Sequence, residues 1–155
     1  MIFVTIGTQA PFDRFIKIVD EVASLLDEEV IAQVYQCGFE PKNIKTINFL
    51  APDEFNKLFE RARLIVSHAG MGTILSALQK CKPIIIFPRI AALGEHRNEH
   101  QLATAEKFKE LGSVYVAMNE EELRQLMVRK DLRCLQEIGA SADKALIQSI
   151  EDFIG

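Results

Sequence analysis

Short apolar runs alternate along this chain with segments whose apolar residues recur every three or four positions. A short apolar run between turn residues is the pattern of a strand buried on both faces, and three-and-four spacing marks one face of a helix. The runs at 2–6, 30–35, 46–50, 64–67, 83–87 and 113–116 read as strands. Between the first two, Phe12, Phe15, Ile16, Val19, Val22, Ala23 and Leu26 form one helical stripe that must face a sheet. Further helices are predicted over 52–62, 71–80, 98–111 and 120–128. Asp53 after Pro52, and Asn119 before three glutamates, supply acceptors and negative charge for the unpaired N–H groups of a helix start. Gly112 reads as a helix stop. A last helix carries Ala142, Leu146, Ile147, Ile150, Phe153 and Ile154 on one side, which can cover the sheet or dock on another protein.

Strands alternating with helices predict a doubly wound parallel sheet, Rossmann-like, with helices on both faces. No internal repeat, low-complexity tract or linker divides the chain, so 1–155 reads as one domain. Its 155 residues, 48% of them hydrophobic and 26% charged, are enough to enclose a core. A formal charge of -4 argues against nucleic acid or an anionic lipid surface as the partner, because either asks for a surplus of Lys and Arg. The three cysteines, Cys37, Cys81 and Cys134, are odd in number and contain no C-x-x-C pair. Neither a disulfide framework nor a zinc knuckle is expected from them, and buried thiols in a reducing compartment are. The segment 1–6 is too short for a signal core, and no apolar run approaches the ~18 residues of a spanning helix. The expectation is a cytoplasmic chain with no anchor of its own.

In doubly wound sheets ligands bind where strand ends turn into helices, since helix N-termini there present free N–H groups and a positive dipole end. Two glycine turns follow strands here: Gly7-Thr8-Gln9, and Ser67-His68-Ala69-Gly70-Met71-Gly72-Thr73. Gly70 and Gly72 would let backbone approach an anion closely, and Thr73 could add a hydroxyl. A bare glycine turn is also simply a tight strand-to-helix connection. After the 83–87 strand comes a polar cluster, Pro88-Arg89 and then Gly94-Glu95-His96-Arg97-Asn98-Glu99-His100-Gln101, suited to a hydroxylated ligand or to a solvated helix start.

Within that cluster His96-Arg97-Asn98-Glu99-His100 satisfies the H-x-x-E-H spacing of a zinc peptidase. That chemistry needs a helix already formed at His96, whereas Gly94 places the helix start later. No D-x-D metal site is present, so no metal ion and no cofactor are expected. A dinucleotide enzyme would carry G-x-G-x-x-G after the first strand, where this chain has Gly7-Thr8-Gln9-Ala10-Pro11.

Residues 1–9 with Pro11-Phe12-Asp13-Arg14, the Ser67 to Thr73 turn, and the Pro88-Arg89 to Gln101 cluster, in that order and spacing, resemble the short bacterial exopolysaccharide and capsule glycosyltransferase subunits. These are similar to the cytosolic subunit of the eukaryotic two-piece GlcNAc transferase and to the C-terminal domain of glycosyltransferase family 28. The resemblance implies the C-terminal half of a GT-B glycosyltransferase, which holds a UDP-sugar donor. A membrane-anchored partner subunit would supply the acceptor side and recruit the chain to the inner face of the membrane. The implied reaction is inverting transfer to a polyprenyl-diphosphate-linked saccharide in polysaccharide biosynthesis. A non-catalytic UDP-sugar-binding or activator subunit is the alternative.

Carried over by motif, Gly70, Met71, Gly72 and Thr73 would hold the diphosphate, with His68 donating to it and Arg89 opposing the charge of departing UDP. Gly7 and Thr8 would close on the sugar or acceptor. Asn98, His100 and Gln101 lie in the cluster where such enzymes read sugar hydroxyls, and the main chain near Leu50 and Ala51 would meet uracil. Ser76 stands where several relatives have a ribose-binding glutamate, so that contact is expected to weaken, to run through water or to move to Glu95. The general base is left unassigned because the acceptor belongs to the partner.

Overall fold

The computed structural model describes residues 1–8, 10–96, 98–135 and Gln148. The predicted last helix over 142–154 therefore lies outside the described residues. Six strands form one parallel sheet: β1 Ile2–Thr5, β2 Val30–Gln33, β3 Lys45–Ile47, β4 Leu64–His68, β5 Ile84–Phe87 and β6 Tyr115–Val116, in the order β3-β2-β1-β4-β5-β6. Strand order reverses between β1 and β4, so the connections leave in opposite directions there and open a crevice at the strand C-termini.

The predicted strands and helices occur, with shorter ends. β3 stops at Ile47 where the apolar run continues to Leu50, because Pro52 then opens α2 Pro52–Arg61, for which Ala51 is the N-cap. Asp53 thus sits in the first turn and does not cap. α4, His100–Leu111, begins later than the expected 98, and a single 3-10 turn, Ala91–Leu93, precedes it. Asn119 caps α5 Glu120–Met127: its side chain accepts from Glu122 N–H at 2.9 Å, while the Glu122 carboxylate takes Met118 N–H at 2.7 Å. Gly112 ends α4 in the left-handed conformation.

Alternation along each strand sends neighbours to opposite faces, and both faces are covered. Val4, Val66 and Ile85 pack with α1 Asp13–Ala23 and with Leu123 and Met127 of α5. Phe3, Ile65, Ile84 and Ile86 pack with Phe59 of α2, with Ile74 and Leu78 of α3 Met71–Gln79, and with Phe108 of α4. The helical stripe read from the sequence is the buried side of α1.

The cysteine expectation is corrected. Cys81 and Cys134 form a disulfide, with their Cα atoms 5.2 Å apart, and Cys37 is the free, half-buried thiol. The tail after α5 returns to the α3–β5 turn, a meeting of residues 53 positions apart that no local spacing announces. This bridge precedes β5, at the sheet end opposite the crevice. Among the described residues no helix is long and apolar enough to cross a membrane.

Candidate functional site

The crevice at the strand-order reversal is a cavity of about 680 Å³. Ile6, Gly7, Thr8 and Ala10 line it from the β1–α1 loop, His68, Gly70, Gly72 and Thr73 from the β4–α3 turn, and Arg89, Glu95, His96 and Gln101 from beyond β5. The three sequence clusters therefore meet in one place.

Its floor is held by polar groups inside otherwise apolar strands. Gln33, buried on β2, accepts from Thr5 Oγ1 at 2.6 Å and donates its Nε2 to the Gly7 carbonyl at 3.2 Å, while the Gly7 N–H reaches Thr5 Oγ1 at 3.3 Å. Gly7 takes a φ of 77°, a conformation costly for any side chain. The sequence reading missed Gln33; the lone amide in an apolar strand was the available signal.

His68 sits at the end of β4 with only 9% of its surface exposed. Its Nδ1 lies 3.2 Å from Ser67 Oγ, and its Nε2 faces the two glycines. A Cβ at Gly7 would fall 3.1 Å from Nε2, and one at Gly70 would overlap it. Gly70, which stays in the cavity lining, is therefore also glycine to make room for the imidazole. A Cβ at Gly72 meets open space, which leaves that backbone free toward the cavity. Burial, reinforced by the charge of Arg89, lowers the His68 pKa to about 4, so the ring is neutral at physiological pH.

Arg89, 3% exposed, crosses the cavity wall. One guanidinium nitrogen donates to the carbonyls of Ile6 at 2.8 Å and Ala10 at 2.6 Å, and the group lies 5.0 Å from the Phe12 ring centroid. Burial lowers its pKa, and the Glu95 carboxylate opposes that shift. Its Nε is buried and has no partner among the described residues. A buried N–H lacking an acceptor is costly, and an anionic ligand oxygen would satisfy it. The start of α3 lines the same cavity. Gly70 caps that helix without a side chain, and no acidic residue stands in its first turn, so its leading N–H groups and its positive end are uncompensated.

Several expected contacts are not in the cavity lining. His100 is exposed: its N–H bonds Asn98 Oδ1 at 3.0 Å and its carbonyl takes the Thr104 hydroxyl at 2.8 Å. His96 stands in the lining instead. It lies in the loop ahead of α4, so the helical spacing that the zinc pattern needs does not form. Asn98 is used locally to orient that loop. Glu95 lines the cavity, with each carboxylate oxygen accepting from Arg14 at 2.9 Å. Gln101 is placed as expected but half committed: its Oε1 accepts Arg89 N–H at 3.0 Å, leaving the amide NH₂ to offer a ligand. Leu50 and Met71 pack on the α2–α3 side of the core, and Ala51 caps α2, its carbonyl taking Phe55 N–H. Ser76 is half-buried one turn beyond Gly72 on the same helix face.

A doubly wound sheet whose glycine turns and buried arginine meet at its strand-order reversal defines a Rossmann-like domain. The model of the glycosyltransferase family 28 C-terminal domain matches residues 1–152, and the chain belongs to that family. It is a glycosyltransferase chain with the fold of a GT-B C-terminal half. The UDP-N-acetylglucosamine transferase subunit ALG13 of Eremothecium gossypii is 25% identical over 148 residues, covering 94% of this chain and 71% of the relative. Among solved structures, the solution structure of ALG13 superposes with a TM-score of 0.63 at 20% identity, over 97% of this chain and 96% of that one. Acinetobacter baumannii MurG superposes with a TM-score of 0.54 at 18% identity, and this chain, 97% covered, spans 49% of MurG.

Proposed function

We propose that this chain is the donor-binding subunit of a two-component inverting glycosyltransferase, taking a UDP-sugar and transferring its sugar to a polyprenyl-diphosphate-linked saccharide in polysaccharide biosynthesis. The carrying observation is the unpartnered, buried Arg89 Nε beside the uncapped start of α3, a pair of features suited to a diphosphate. The relatives' printed description as UDP-N-acetylglucosamine transferase subunits supports a uridine donor and a subunit role.

In this reading the diphosphate lies on the Gly72 and Thr73 N–H groups, with Arg89 and the neutral His68 ring as further donors. Negative charge grows on the departing UDP, and dipoles and a cation already in place stabilise it without reorganisation and without a metal ion. The Gln101 NH₂ and His96 face the sugar. Uracil extends past the cavity toward Leu50 and Ala51, and Ser76 reaches the ribose weakly or through water. The general base stays with the partner.

A partner is proposed because the relatives are described as subunits of a UDP-N-acetylglucosamine transferase. The partner would carry the membrane anchor and hold this chain at the cytosolic face. The test is reconstitution: the chain alone should bind UDP and transfer nothing, and transfer should appear when the partner and a lipid-linked acceptor are added. Robust turnover by the chain alone refutes the two-component reading. No transfer with the partner present would favour a binding or activator subunit.

A further inference from the structure

The cavity wall beyond β5 is a loop over 88–99, tied at Arg89 to Ile6, Ala10 and Gln101. Past Arg89 the internal bonds among its described residues are Leu93 and Glu95 N–H groups to Ile90 O, Gly94 N–H to Ala91 O, Ile90 N–H to Glu95 Oε1 and the local contacts of His96 and Asn98. Such a loop holds one shape only if something outside it supplies the ordering. Arg14 supplies it. It stands in the first turn of α1, beside the fully buried Phe15 and Ile16, and is therefore fixed to the core. Its Nε and one terminal nitrogen grip the two Glu95 oxygens at 2.9 Å each, and the same terminal nitrogen reaches the Pro88 carbonyl at 3.3 Å. Glu95 Oε1 also takes Ile90 N–H at 3.0 Å, so the pair closes both ends of the turn. The guanidinium lies over the Phe87 ring at 4.4 Å, and the side chains are 19% and 12% exposed, which sets this pair apart from a solvated surface contact. Glu120 stands 4.0 Å away on the remaining nitrogen.

We infer that Arg14 is a positioning residue for the sugar-facing wall of the cleft: through Glu95 it fixes the part of the loop that carries His96, while Arg89 is held separately by the Ile6 and Ala10 carbonyls and by Gln101. The inference rests on the cleft holding a nucleoside diphosphate sugar. A lysine keeps the charge but cannot make the fork, so the effect should follow geometry and not charge.

The test uses Arg14→Lys, with Glu95→Gln to break the same pair from the other end, in the full chain. Hydrogen exchange at the Ile90 amide should accelerate roughly tenfold while Ile65 in the central sheet is unchanged. UDP affinity should stay within about twofold, and UDP-GlcNAc affinity should fall about fivefold, because the diphosphate contacts on α3 and the bonds that anchor Arg89 are untouched while the wall at His96 is loosened. Unchanged Ile90 exchange, or equal losses for UDP and UDP-GlcNAc, overturns the positioning role. A wild-type chain that binds neither ligand overturns the donor reading on which the role depends.

Discussion

Burial of the His68 imidazole between Gly7 and Gly70 sets its charge as well as its place, and that has a consequence for stability. The unfolded chain takes up a proton at this histidine near pH 6.5, whereas the folded chain resists until about pH 4. Stability from this group is therefore full above pH 6.5 and falls as pH drops through that window, by about 3 kcal/mol at 1.36 kcal/mol per pH unit. Thermal melts of wild type and His68→Gln from pH 7 to 4.5 should show the steeper loss in wild type. Parallel curves would mean that the imidazole is hydrated. Gly72→Asp should keep or slightly raise the melting temperature, since its Cβ meets open space and a carboxylate suits a helix start, yet should abolish UDP binding by placing negative charge in the diphosphate cradle. Normal UDP affinity in that variant would move the site elsewhere. Gln101→Met removes the NH₂ without adding charge, and its loss of the Arg89 N–H acceptor touches both ligands alike, so it should weaken UDP-sugar by about 1 kcal/mol more than UDP. Equal losses by calorimetry would take Gln101 off the sugar.

At the level of elements, the sequence was most legible where periodicity was strong. The α1 stripe and the apolar strands have no other way to be buried, and their order gives the sheet. Legibility failed where tertiary contacts decide. The 3-10 turn at Ala91–Leu93 and the late start of α4 flank Glu95, which pairs with Arg14 from 81 positions away. The Cys81–Cys134 bridge depends on the path of the tail. The three site clusters were visible as glycine turns and polar runs after strands, but their division of labour was not. Only the folded geometry separates Gly70, which clears a histidine, from Gly72, which meets open space. One local signal did carry through, the Asn119 and Glu122 cap of α5. Asn119→Ala should cost about 1 kcal/mol and lower the melting temperature by a few degrees, with UDP affinity unchanged because α5 lies away from the cavity lining. A stability loss within error in that variant would mean that the cap bond is replaced by water.

At the scale of the whole molecule, the described cavity lining comes from the loops at the C-termini of β1, β4 and β5. On the proposed reading the donor is held there chiefly through its diphosphate, and binding by the isolated chain should be weak but site-specific. A titration of the isotope-labelled chain with UDP, followed residue by residue through backbone amide shifts, tests this most directly. The account predicts saturable shifts concentrated at Gly7, His68, Gly70, Gly72, Thr73 and Arg89, with the α5 amides still. No saturable shift, or shifts centred away from the β1, β4 and β5 termini, would contradict it.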